Sequence, residues 1–294
     1  MRWTPRGRSS NIEDRRGAGG LGGGRGGFPI TGLGVGGTLI VIVLSLLFGG
    51  DIFSGAGGDG GPVATQQSGG DASGAPVSET PEERREVEFV SFVLDDAQTV
   101  WTKLLPDAAN VPYQDAKLVL FRDAVRTACG DAPSAAGPFY CPTDQKVYLD
   151  LGFFDELQRR FGAPGDFAQA YVITHELGHH VQRLVGTEQR VRQMSDQRPA
   201  LANELSVRLE LQADCYAGVW ANTTEQRKLL SEGDVDEALG AASAVGDDRL
   251  QGKRPGGIQP ETFTHGSSAQ RVTWFKRGFT TGDMRNCDTF AGNL

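Results

Sequence analysis

No charged side chain occurs between Gly26 and Gly50. The centre of this stretch, Leu33 to Phe48, is apolar and helix-compatible, although the glycines at 34, 36 and 37 weaken its start. As a helix, residues 32–50 would reach roughly 28 Å, about one hydrocarbon thickness. Its flanks are too Gly-rich and polar for a helix inside a domain core. The long segment ahead of it, and the lack of a small-x-small cleavage site after Phe48, favour a retained anchor over a removed signal peptide. Arg15-Arg16 is followed by Gly17-Ala-Gly-Gly, not by the apolar residues of a twin-arginine signal. The expected organisation is therefore a disordered Arg/Gly-rich N-terminus (1–31), a transmembrane helix (32–50), a flexible linker (51–80) and a folded domain (81–294).

Charge orients this arrangement. The arginines at 2, 6, 8, 15, 16 and 25 precede the apolar stretch, so the N-terminus is expected in the cytoplasm and the domain outside it, in a single-pass membrane protein. The whole chain carries a net charge of -8, and the N-terminal excess of arginine leaves the rest more acidic still. A domain that acidic is a poor partner for phosphate backbones, so no nucleic acid is expected. Four cysteines, Cys129, Cys141, Cys215 and Cys287, suit an oxidising compartment. Cys129 and Cys141 flank a Gly/Pro/Ala-rich loop, which favours local pairing and leaves Cys215 for Cys287. Four reduced, buried thiols are the alternative.

After Pro81, apolar spacing predicts a helix ended by Pro106. Lys117–Phe121 and 145–152 read as strands. Asp166 with Gln169 reads as the capped start of a helix running to about Leu184. A further helix is expected around 199–221. Asp234 with Glu237 and Ser267 with Gln270 should cap two more. The fold class is α+β, mainly helical with a small sheet.

The helix from Asp166 carries His175-Glu176-Leu177-Gly178-His179. Residues four apart share a helix face, so His175 and His179 can grip one ion through two imidazoles. Glu176 projects beside them, where a general base is needed for a zinc-activated water. Zinc lowers the pKa of a bound water from 15.7 to roughly 7, and a neighbouring carboxylate can carry the remaining proton to a leaving amine. Tyr171-Val-Ile-Thr174 is apolar enough to bury this helix, and Gly178 leaves room for a close neighbour.

A catalytic zinc needs a third protein ligand. Glu210 and Asp214 also lie four apart, among Leu209, Leu211, Ala213, Cys215 and Tyr216. Glu210 is the expected ligand, and Asp214 is expected to accept the second ring N–H of a ligand histidine. Rivals for the third place are Asn203-Glu204 and His265. His180, about 100° around the helix from His179, is expected at the surface or behind the site.

Together these motifs resemble the bacterial neutral zinc metallopeptidases of the YpfJ type. The resemblance continues in Asn11-Ile-Glu-Asp-Arg-Arg-Gly17, Gly137-Pro-Phe-Tyr-Cys-Pro142, Phe263-Thr-His-Gly266 and Cys287-Asp-Thr-Phe290. It implies a single-pass membrane protein with a zincin-like domain. The Glu210-x-x-x-Asp214 element is also similar to that of the HtpX and CAAX prenyl protease gluzincins, where a Thr-His-Pro segment and an arginine lie near the site. By that resemblance His265 would stabilise the oxyanion and Arg271 would support it, although Gly266 stands where those proteins have proline.

The expected function is a membrane-anchored zinc metalloendopeptidase acting on a peptide or protein substrate, with zinc held by His175, His179 and Glu210. The alternative is a non-catalytic zinc-binding scaffold. Zincins pair substrate with an edge strand, expected at Lys146–Asp150.

Overall fold

The computed structural model describes residues 1–17, 77–252 and 257–292. The expected membrane helix (32–50) and most of the linker lie outside these residues. Among the described residues no helix is long and apolar enough to cross a membrane.

The domain opens with α1, Pro81–Ala109. Thr80 and Glu83 form a reciprocal capping box at its start, satisfying two otherwise orphaned donors. The helix runs on past Pro106 and closes on Asn110 in the left-handed conformation. Proline forfeits one N–H here, and with less than a turn remaining, the helix absorbs the loss. Four strands follow in the main sheet or beside it: β2 (Lys117–Phe121), β3 (Ala124–Thr127), β4 (Gly130–Pro133) and β5 (Phe139–Cys141). Next come β6 (Lys146–Asp150) and α2 (Gly152–Arg159). The remaining helices are α3 (Asp166–Leu184), α4 (Thr187–Gln197), α5 (Ala202–Gln226), α6 (Asp234–Ala244), α7 (Asp247–Gln251) and α8 (Ser268–Thr281). The architecture is α+β and mainly helical, with a small sheet.

Two expected caps are replaced. Asp166 and Asp234 are the first residues inside their helices, and the caps are Gly165 and Gly233. The Phe167 N–H instead donates to Glu237 of α6 at 3.0 Å, so one helix caps another across the fold. The Ser267–Gln270 capping box forms as expected.

The first strand of the main sheet, β1 (Ile12–Asp14), comes from the N-terminal segment. The strand order is β1-β2-β6-β5, with β1 and β6 parallel to β2 and β5 antiparallel to β6. Residues 1–17 are thus folded into the domain, contrary to the expected disorder. Trp3 packs against Phe89 and Phe92, and Ser9 donates to Asp95. Lys146 pairs with Glu13, and the buried Arg16 pairs with Asp14 and Glu79. Composition misled here because these arginines serve as ion-pair partners and β1 covers an otherwise open sheet edge. The topology changes as well. A strand in the domain's own sheet lies on the domain's side of any membrane. A cytoplasmic N-terminus with an extracytoplasmic domain, joined by one crossing, is incompatible with this pairing within a molecule.

The core lies between α1, α3 and the sheet, and extends along α5, α6 and α8. Two close helix crossings place the site. At Gly178 an added Cβ would lie 3.0 Å from the Ala213 Cα, so α3 and α5 touch almost backbone to backbone. At Gly278 a Cβ would overlap the Cys215 carbonyl, so α8 lies equally close to the other side of α5. Both expected disulfides are present, Cys129–Cys141 and Cys215–Cys287.

Candidate active site

The close crossing at Gly178 sets the His175/His179 face of α3 against the Glu210/Asp214 face of α5. The His175 Nε2 is 3.2 Å from one Glu210 carboxylate oxygen, and the His179 Nε2 is 3.5 Å from the other. One ligand atom from each of the three residues lies within 4.8 Å of the others. Two imidazoles and one carboxylate with a remaining open side are the donor set of a catalytic zinc site. The residues present fit that ion.

The far side of each ring is also held. His175 Nδ1 is 2.9 Å from Asp214 Oδ1, as expected for the orienting carboxylate. His179 Nδ1 is 2.9 Å from Gln182 Oε1. Asp214 is fully buried and receives Arg271 Nε at 2.8 Å, Arg271 Nη2 at 2.9 Å and the Tyr171 hydroxyl at 2.5 Å. Arg271 therefore supports Asp214, and not His265 as the resemblance implied, because α8 crosses α5 beside Asp214.

The electrostatics agree with this geometry. Burial raises the Asp214 carboxyl, but Arg271 and His175 hold it below its ordinary value. Burial likewise opposes ionisation of Glu210, yet the two imidazoles hold it well below the carboxylate range. Burial pulls His175 down, and Asp214 with Glu210 outweighs it, raising the imidazole to about 9. His179 is raised by Glu210 against the same opposition. Glu176 moves the other way: burial, only partly offset by the two histidines, pushes its carboxyl up. A field that favours positive charge at both imidazoles favours a divalent cation at the same place. A carboxylate raised by burial has the basicity a general base needs.

His265 lines the same cavity as His175, Glu176 and His179. Asp247 holds it. Asp247 Oδ1 is 3.2 Å from His265 Nδ1, and Oδ2 accepts the backbone N–H groups of Thr264, His265 and Gly266 at 2.8, 2.7 and 3.0 Å. The Asp247 hydrogen bond raises the His265 imidazole against the pull of burial. The remaining ring nitrogen is left for the cavity.

The cavity has a volume of about 220 Å³. Phe153, Phe161, Val172, Val245 and Leu250 make much of its wall apolar. Residues 136–140 and Pro142 form its rim beside β5. The strand expected at the cleft edge, Lys146–Asp150, is β6 and lies inside the sheet between β2 and β5; among the described residues the end strand on the cavity side is β5. The fold-back after Cys141 pairs β5 outside β6, an arrangement hydrophobic pattern does not specify.

Of the rival ligands, His265 lines the cavity but is not among the three residues whose ligand atoms converge, and the Asn203-Glu204 pair sits elsewhere. Glu204 pairs with Arg208, and Asn203 donates to the Glu261 carbonyl. His180 is wholly buried, where a surface position was one expectation. Its Nε2 is 2.6 Å from the Gln114 carbonyl and its Nδ1 is 2.9 Å from the Tyr140 hydroxyl of β5. Sequence reasoning missed Asp247, Gln182 and Tyr171. Helix spacing could have found two, since Tyr171 precedes His175 by four residues and Gln182 follows His179 by three. Asp247 has no such signal, because it meets His265 only through the tertiary fold.

The chain is 45% identical over 298 residues to the uncharacterised protein YpfJ of Escherichia coli K12, covering all of both chains. It is 46% identical over 208 residues to an uncharacterised protein of Mycobacterium tuberculosis H37Rv, covering 67% of this chain and 68% of that protein. No solved structure matches. A family model described as "Putative neutral zinc metallopeptidase" matches residues 1–290, and the chain belongs to that family.

Proposed function

We propose that the chain is a zinc-dependent endopeptidase in which His175, His179 and Glu210 hold the metal and Glu176 is the general base. The supporting observation is the convergence of these three ligands beside Glu176, in a cavity lined by β5, which among the described residues pairs with a strand on one side alone. A zinc ion held there by His175, His179 and Glu210 would supply Lewis acidity to a peptide carbonyl and a water. Glu176 takes the proton released as the water attacks, and delivers it to the departing amine. His265, held by Asp247, donates from its free ring nitrogen to the developing oxyanion. Asp214, backed by Arg271 and Tyr171, keeps the His175 ring oriented.

The edge of β5, unpaired among the described residues, can extend the sheet with a substrate strand, and the apolar wall can take a bulky apolar side chain of that substrate. The two disulfides support a location outside the cytoplasm. The apolar stretch 32–50, proposed from sequence as a transmembrane helix, lies outside the described residues.

The test pairs two variants with metal analysis. Glu176→Gln should retain zinc and lose cleavage of a peptide library by at least a hundredfold. Glu210→Ala should lose most of its zinc. Retained cleavage by Glu176→Gln would overturn the mechanism. A wild-type protein that binds zinc and cleaves no peptide would leave the scaffold reading standing.

A further inference from the structure

The His175 ring rests on a buried carboxylate, whereas the His179 ring rests on an amide. Gln182 Oε1 is 2.9 Å from His179 Nδ1, and Gln182 Nε2 donates to the Leu209 carbonyl at 2.7 Å and to Gln212 Oε1 at 3.2 Å. Gln212 Nε2 in turn donates to the Cys287 carbonyl at 2.9 Å. Both glutamines are buried. A carbonyl oxygen only accepts, so the two backbone carbonyls force the direction of the whole chain. Each amide must turn its nitrogen toward a carbonyl. Gln182 therefore presents oxygen to His179, whose Nδ1 must carry a proton, so in the neutral ring Nε2 is the lone-pair nitrogen on the Glu210 side.

The far end of this relay is covalently fixed. Cys287 is bonded to Cys215, the residue after Asp214 on α5. Thr289 donates to the Arg208 carbonyl and its own carbonyl receives Arg208, which ties the same terminal segment to α5. The support behind one histidine and the support behind the other thus converge on the Asp214–Cys215 step.

We propose that Gln182 is a positioning residue for the metal site. Locked by Gln212 and the disulfide-held carbonyl of Cys287, it fixes His179 as the Nδ1–H tautomer with Nε2 turned to the metal. This rests on the metal reading above and extends it to residues 182, 212 and 287. Gln182 lines the cavity but is not among the three residues whose ligand atoms converge, so its effect on the ion passes through the His179 ring, on metal affinity and ring tautomer.

Two measurements on the full chain test it. Zinc affinity, read by chelator competition, should fall about 10- to 100-fold in Gln182→Met, as for other groups that orient a metal-ligating histidine. It should fall several-fold in Gln212→Met, where Gln182 keeps the Leu209 carbonyl. In nitrogen-labelled imidazole spectra of the zinc-loaded wild type, the His179 ring proton should sit on Nδ1 and exchange slowly with solvent. A merely structural role would alter neither the tautomer nor that exchange. Should Gln182→Met fail to fold, the wild-type spectrum decides alone. A His179 proton found on Nε2, or unchanged zinc affinity in a folded Gln182→Met, would overturn the proposal. A wild type that binds no zinc would instead overturn the metal reading and this proposal with it.

Discussion

Asp247 offers the sharpest test of how this site is held. Its side chain is wholly buried and meets four donors: three consecutive backbone N–H groups and the His265 ring. Asp247→Ala leaves those three amides without their acceptor. An unmade buried hydrogen bond costs roughly 1–3 kcal/mol. If the 264–266 turn recovers one amide by shifting toward the cavity, the net loss is about 3 kcal/mol, more than a hundredfold in the folding equilibrium. Asp247→Asn can keep an oxygen toward the three amides and forfeits only the charge, so it should cost about 1 kcal/mol. Urea unfolding of the metal-free proteins measures both. Turnover separates the second role: Asp247→Ala should reduce kcat at least tenfold by freeing His265. In Asp247→Asn the His265 imidazole loses the bond that raises it, so the alkaline limb of the kcat profile should move to lower pH. The stability contribution has a defined window. The depressed Asp247 carboxyl contributes fully above its unfolded value of about 4, and the contribution disappears as pH falls through the lower folded value. The raised His265 contributes fully below about 6.5 and loses its share as pH rises through the higher folded value. An Asp247→Ala protein within 1 kcal/mol of wild type, with unchanged kcat, would refute this account of the loop.

Two further outcomes follow from the buried charges and cross-links. Arg271→Met leaves Asp214 ionised in the core without its guanidinium partner, so unfolding free energy should drop by about 3–5 kcal/mol; a drop below 1 kcal/mol in urea would show that the pair is not needed. The Cys215–Cys287 bond closes a separation of 72 residues and Cys129–Cys141 one of only 12. Replacing the former pair by alanine should therefore destabilise by about 1.5 kcal/mol more than replacing the latter. Equal unfolding midpoints for the two double variants would contradict this.

Much of the site was legible in the chain because its residues lie at helix spacing. His175 with His179, and Glu210 with Asp214, are each one turn apart, and that interval alone puts each pair on one face. The apolar residues around both pairs announced that the faces are buried. Gly178 announced the close crossing, and the Gly/Pro/Ala loop between Cys129 and Cys141 announced their pairing. The N-terminus was misread for the opposite reason. Met1–Gly17 has the composition of a disordered tail, and only the tertiary fold, through α1 and β2, supplies the partners that order it.

What the sequence by itself determined is the local chemistry: which residue types occur one helical turn apart, where helices begin, and that a zinc-type donor set is present. Only the tertiary structure decided which element meets which. It brought Asp247 to His265, turned Arg271 to Asp214, put β5 and not β6 at the sheet edge, and drew Ile12–Asp14 into the domain. Local spacing sets a residue's direction within its own helix or strand. Contacts between elements depend on close crossings such as Gly178 on Ala213 and Gly278 on Cys215, whose partners lie tens of residues away and leave no periodic trace.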